Sequence, residues 1–286
     1  MTTQNRYRFV LIQAFNLPDN ARYALRRMQG SKEAMMMNYE DIAPVLADID
    51  WELHPGARAA HGDWPVETRE EFALVGAARL RVVREVCEAG KHNAIVLLGG
   101  GDPGYVESRE IGRRFGIAVT SCASAQMHLA TMLGHRFSII DIAESHNARM
   151  QDLVVQYRFV EHCASIRCID FPLPRPPFDD ARPIHAEKER AQKGERSEML
   201  ETAVTESIAA IEEDGAEVLM LGCSATYWMQ PYLQRRLREL GWEIPVLEGY
   251  ASAILQAKLM VDAGFTASGI AFPFDHPKNW RRRKTF

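Results

Sequence analysis

The sequence has no apolar run approaching the ~18 residues that a membrane-spanning helix needs, and its start, MetThrThrGlnAsnArgTyrArg, lacks the apolar centre of a secretory signal. No membrane partner is expected, and the cytoplasm is the expected location. An excess of either charge is also missing. The 34 basic and 38 acidic side chains leave a net charge of -4 with an isoelectric point near 6.2, which gives no electrostatic reason to expect nucleic acid as a partner. The short run ArgArgArgLys at 281–284 reads as a solvated end. Cysteine is scarce: five residues, an odd number at irregular spacing with no CysXXCys pair, argue against a disulfide framework and a structural zinc site. His54, His61 and His185 have no metal-ligand spacing either, so no metal is expected.

What is present is a large apolar budget, 47% of 286 residues, enough for two domains of ordinary size. Short apolar runs alternate with amphipathic stretches. TyrArgPheValLeuIleGln at 7–13 reads as a strand, followed by the turn AsnLeuProAspAsn and a helix from about Ala21. Residues 31–48 look helical and carry three consecutive methionines, read as core with a lesser chance of lining a site entrance. A strand near Trp51–His54, a loop at 54–65, a helix at 67–89, the strand at 93–98 and a helix ending near Phe115 complete a βαβαβα order. That order implies a parallel, doubly wound sheet. A second series begins at residue 117: helix 123–133, strand PheSerIleIleAspIle, helix 146–157, strand SerIleArgCysIle, a proline-rich loop at 173–180, a long polar helix at 186–213, a strand ending at Leu221, helix 230–240, strand IleProValLeu and helix 250–263. The expected domains are therefore 1–116 with 251–286, and 117–250.

One stretch organises the rest. ValLeuMetLeu at 218–221 is a strand buried on both faces, and it ends in Gly222, Cys223 and Ser224 before helical periodicity resumes. A thiol at the carboxyl end of a parallel strand stands where open α/β sheets bind ligands, beside the N–H groups of the following helix. The other half has a matching loop, Gly99 to Gly101.

The set AlaIleValLeuLeuGlyGlyGlyAspProGly (94–104), LeuGlyHisArgPheSerIleIle (133–140), AlaSerIleArgCysIleAsp (164–170), AspGlyAlaGluValLeuMetLeuGlyCysSer (214–224) and ProValLeuGluGly (245–249) resembles the aspartate/glutamate/hydantoin racemase superfamily, nearest its hydantoin racemase branch. The resemblance implies two Rossmann-like α/β halves related by a pseudo-dyad, a site in the cleft between them, a small-molecule substrate, no cofactor and assembly as a homo-oligomer. It also implies two cysteines, one per half, acting as base and acid on opposite faces of an acidic carbon. Cys223 takes the place of the second. The first falls on Gly99, which has no thiol, and Cys122 is the nearby substitute, read as structural.

A missing thiol directs the expectation to one-thiol chemistry. The favoured reading is Cys223 as a nucleophile in hydrolysis or desulfuration of a hydantoin- or thiohydantoin-like acid. The alternatives are a racemase with another group in place of the first cysteine, a lyase resembling arylmalonate decarboxylase, which has glycine at the first site, and a ligand-binding regulator. Gly99, Gly100 and Gly101 expose backbone N–H groups suited to an oxyanion. The expected ring around them is Asn16, Asp102, Ser121, Ser124, Glu144, Ser145, Asn147, Ser224, Thr226 and Glu248, all on loops at strand carboxyl ends, where such residues more often cap helices. His146 is a possible proton carrier, read more readily as a solvated helix residue.

Overall fold

The computed structural model describes residues 5–25, 30–177, 184–274, 279 and 283. The basic run at 281–284, apart from Arg283, and the part of the proline-rich loop from 178 to 180 lie outside them. Among the described residues, eight strands form two four-stranded sheets. The first contains β1 (Arg8–Ile12), β2 (Asp50–His54), β3 (Ala94–Leu97) and β4 (Ala118–Ser121), in the order β2-β1-β3-β4. The second contains β5 (Phe137–Asp141), β6 (Cys163–Cys168), β7 (Val218–Leu221) and β8 (Val246–Leu247), in the order β6-β5-β7-β8. Every pairing is parallel. The two orders are the same, so β3 and β7 occupy equivalent places, as do β1 and β5. All four residues of β3 and of β7 are buried, because helices cover both faces; continuous apolar runs are what such strands require.

The helices are α1 (Tyr39–Leu46), α2 (Arg69–Ala89), α3 (Tyr105–Arg114), α4 (Cys122–Leu133), α5 (Glu144–Gln156), α6 (Ile184–Gln192), α7 (Glu198–Glu212), α8 (Gln230–Glu239) and α9 (Gly249–Ala263). α2 is delimited locally: Thr68 and Glu71 form a capping box at its start, and Gly90 ends it in the left-handed region at φ 64°. The largest apolar cluster runs through both sheets, from Phe9 and Val96 to Leu219 and Trp228, so the halves share one core.

Three expectations are corrected. The strand at 117–121 does not open the second half. It pairs with β3, Ala94 opposite Ala118 through Leu97 opposite Ser121, and the chain crosses over after Ser121. Of residues 31–48 only Tyr39–Leu46 is helical; the methionines lie in the turns before it, as do the described residues after Ala21. The long polar helix is two helices, broken at Gly194, whose φ of 73° lies in the left-handed region, and restarted by Ser197, whose hydroxyl accepts the Leu200 N–H at 3.2 Å. The return of α9 from β8 to pack on β3, β4 and α4 completes the first half.

Candidate active site

The ends of β5 and β7 lie side by side, with Ile140 opposite Leu221, and the residues just beyond them build the site. β5 ends in Asp141, which is fully buried. One carboxylate oxygen accepts the Ile142 N–H at 2.8 Å and the other takes Nδ1 of His146 at 2.6 Å. His146 stands in the first turn of α5, five residues on, and its ring lies beside the Cys223 sulfur in the cleft wall. Burial alone pushes the imidazole pKa down. The Asp141 charge, the neighbouring Cys223 sulfur and the hydrogen bond to Asp141 outweigh it and hold His146 protonated well above its ordinary range. A buried chain, Asp141 to His146 to Cys223, is the result, and it corrects the reading of His146 as a solvated residue.

Glycine is required where this chain meets the glycine loop. A Cβ on Gly222 would lie 2.5–2.7 Å from the Asp141 carboxylate. One on Gly100 would overlap the Gly222 carbonyl and come within 2.9 Å of the Cys223 Cα. The two loops therefore touch backbone to backbone. The N–H groups of Gly100 and Gly101 have no partner among the described residues, whereas that of Gly99 points to the Cys122 sulfur. Cys122 is completely enclosed behind Gly99, its thiol 3.5 Å from the Leu97 carbonyl, and burial, with the Asp102 and Glu248 charges, pushes its pKa far up. It does not reach the cleft and supplies no second acid–base group.

Cys223, His146, Ser224 and Gly99 to Gly101 line a cleft that opens to solvent. Phe15, Leu17, Met35, Met37, Val66 and Phe72 form its apolar walls, and Gln13 and Tyr250 add polar groups. Apart from His146, no described lining residue is basic or acidic. The methionine triplet is divided by its geometry: Met36 is in the core, while Met35 and Met37 face the cleft. Leu173 reaches the cleft from a second-half loop that is clasped to α2, where Arg175 pairs with Glu71 through both carboxylate oxygens, at 2.5 and 3.0 Å, and Glu67 accepts the Leu173 N–H. Burial raises the Glu71 carboxyl, but Arg175 and the N–H groups of Thr68, Trp64 and Glu67 bring it down to about 2.

The rest of the expected ring lies outside the lining. Asp102, at φ 46°, accepts the Ser121 hydroxyl at 2.6 Å, the Ala123 and Ser124 N–H groups at 2.9 and 2.8 Å and the Tyr157 hydroxyl at 3.1 Å. It caps α4 from another segment, and Ser121 and Ser124 belong to that cap. Asn16 is held by its backbone to Ala57 and Ala59. The Thr226 hydroxyl donates to the Cys223 carbonyl at 2.6 Å. Glu248 caps α9, accepting the Tyr250 and Ala251 N–H groups and the Asn38 amide, and burial raises its pKa to about 7. Ser145 donates to Glu67, and Glu144 and Asn147 line a separate groove beside β6. A 3-10 turn, Ser224–Met229, follows Cys223, so the N–H groups beside the thiol belong to that turn; α8 starts at Gln230, where the helix was expected. Asp141, Gln13, Phe72 and Tyr250 carried no signal of their own in the sequence. The spacing of Asp141 and His146, a strand end and the first turn of the next helix, is what relates them.

The family profile of the Asp/Glu/hydantoin racemases matches residues 58–257. A hydantoin racemase of Rhizobium meliloti is 28% identical over 183 residues, 64% of this chain and 66% of that protein, so the match spans just under two thirds of the relative's length. Among solved structures, allantoin racemase from Pseudomonas fluorescens superposes with a TM-score of 0.67 at 20% identity, covering 95% of this chain and 98% of that one. A mutant of arylmalonate decarboxylase in liganded form gives 0.57 at 14% identity, over 92% and 96% of the two chains. The matched relatives are named as racemases, which overturns the expectation of hydrolysis or desulfuration with Cys223 as nucleophile. No described helix is long and apolar enough to cross a membrane.

Proposed function

Because the chain belongs to the Asp/Glu/hydantoin racemase family, we propose that it is an isomerase that moves a proton off and onto the acidic carbon of a small hydantoin-like ring. Cys223 is the acid–base group. Its sulfur takes the proton from carbon, the electron pair passes to the adjacent carbonyl, and the N–H groups of Gly100 and Gly101 receive the developing oxyanion. His146 holds a proton beside the sulfur, and Asp141 fixes the ring's orientation. The apolar walls suit a neutral ring with an apolar substituent. The observation that carries this reading is the buried chain from Asp141 through His146 to Cys223, opening opposite the glycine loop.

Only one wall of the cleft bears a thiol, and this sets the expected stereochemistry. Exchange on one face leaves configuration intact until the planar intermediate turns over in the cleft or is protonated from the other side. With an optically pure 5-substituted hydantoin in deuterated water, deuterium should enter the acidic carbon faster than optical rotation decays. Absence of exchange on alkyl and aryl hydantoins alike would overturn the proposal. The presence of Cys223 as the single lining thiol also favours a second reading, protonation of a carbanion left by loss of carbon dioxide. Carbon dioxide released from an arylmalonate, with no exchange on hydantoins, selects that reading instead.

A further inference from the structure

We propose that Arg149 is a positioning residue that locks the glycine loop to the half of the molecule carrying the thiol, and so sets the geometry between the oxyanion cradle and Cys223. The catalytic part of this statement rests on the proposed proton transfer; the structural part does not. α5 carries His146 and Arg149 three residues apart, on one face of the helix. His146 contacts Cys223. Arg149, one turn on, donates from Nε to the Gly101 carbonyl at 3.0 Å. The guanidinium also lies over the Phe72 ring, 5.3 Å from its centroid, and Phe72 meets His146 edge to face at 5.6 Å. Gly101 is pressed against the same ring, because a Cβ there would overlap Phe72.

Arg149, Phe72, His146 and Gly101 thus form one stack that joins the two catalytic loops across the cleft. The hydrogen bond from Arg149 is its polar fastening. The Gly101 carbonyl shares its peptide plane with the Asp102 N–H; holding it restrains ψ of Gly101 and so the orientation of the preceding peptide unit, which carries the Gly101 N–H of the cradle. Arg149 also lines a second cavity, between α2, α3 and α5, so its removal opens the loop's rear to solvent and leaves no sealed void in the core. Arg149 itself lies outside the cleft lining, which is why its role is one of positioning. Displacements of about 1 Å in such a cradle cost up to ~100-fold in rate.

The test uses the full-length protein with Arg149→Met and Arg149→Lys. Amide hydrogen exchange read by mass spectrometry needs no substrate. In Arg149→Met the peptide covering residues 98–104 should exchange at least about threefold faster, while the peptide covering 217–224 is unchanged. Arg149→Lys, which keeps one donor within the same reach, should restore most of that protection. On a hydantoin that the wild type processes, Arg149→Met should lower kcat by about 10- to 100-fold with KM altered less than about threefold. Unchanged exchange at 98–104, equal acceleration at both peptides, or a lysine variant no better protected than the methionine variant would each overturn the proposal. If the wild type processes no hydantoin, the proposed reaction fails while the exchange experiment still decides the role of Arg149.

Discussion

The loops after β3 and β7 stand at equivalent places in two sheets of the same strand order, yet they present different chemistry. Beyond β7, the thiol of Cys223 is backed by His146 and Asp141, a line of groups that can store and relay a proton. Beyond β3 the cleft wall is glycine with its backbone N–H groups, the Asp102 carboxylate being turned to the cap of α4 and the Cys122 thiol sealed behind Gly99. The strand adjoining each loop follows the same division. β5 ends in a buried carboxylate, whereas β1, its counterpart, ends in Ile12 followed by the uncharged Gln13. In the proposed reaction, acid–base work falls to one side and charge reception to the other.

The most damaging way to break the comparison is to silence the working side. Cys223→Ala should cost at least ~100-fold in proton exchange while the melting temperature barely moves, since the loss is a catalytic group on a cleft wall. Retention of a tenth of the rate would remove Cys223 from the mechanism. Next in size is the relay behind it. His146→Asn should lower the rate by about 10- to 100-fold and slow alkylation of Cys223 by iodoacetamide, read against Cys223→Ala as background. Gly222→Ala should do the same without touching either side chain, by driving the Asp141 carboxylate out of place.

A third experiment tries to make the sides alike. Gly99→Cys puts a thiol where the sequence resemblance places the family's first cysteine, but Gly99 is at φ 115° and a Cβ would meet that of Ala14 at 3.0 Å, so a stability loss of about 1–3 kcal/mol is expected. Pairing it with Ala14→Gly relieves the contact. If the double variant folds, racemisation should catch up with deuterium exchange; continued lag would show that Gly99 does not face the acidic carbon. The smallest effect on rate belongs to Glu248, outside the cleft lining. Its carboxyl is raised from 4.5 to about 7, so the native state binds its proton more tightly, a stabilisation present below pH ~4.5 and lost as pH rises through about 7. Glu248→Gln should flatten the stability profile over that window, by at most about 3 kcal/mol, with activity little changed. Parallel profiles for the two proteins would mean that Glu248 does not titrate there.

The strands and the place of Cys223 were legible because a doubly buried strand demands a continuous apolar run, and β3 and β7 are such runs. Which sheet β4 would join was not, since a run as short as AlaValThrSer does not show its neighbours, and β3, α3 and α9 hold it in the first sheet. His146 was misread because periodicity reports a helix face but not what stands over it; Phe72 and Cys223 both approach from other elements. Asp102 and Glu248 were taken for substrate contacts on the strength of position. The chain spends both on the first turns of α4 and α9, where unpaired N–H groups attract any nearby carboxylate. Polar residues at strand ends answer to two masters, helix and ligand, and sequence alone does not separate them.

The path of the chain has a consequence for its synthesis. β1 to β4 leave the ribosome first, but the helix that covers β3 and β4 is α9, made only after the entire second sheet. The half that starts earliest therefore finishes last, and its apolar face waits uncovered while some 130 residues are added and folded. Nascent chains stopped before Gly249 should hold a protease-resistant second half beside a labile first one, and only release of α9 should make the glycine loop and its thiol partner a single site.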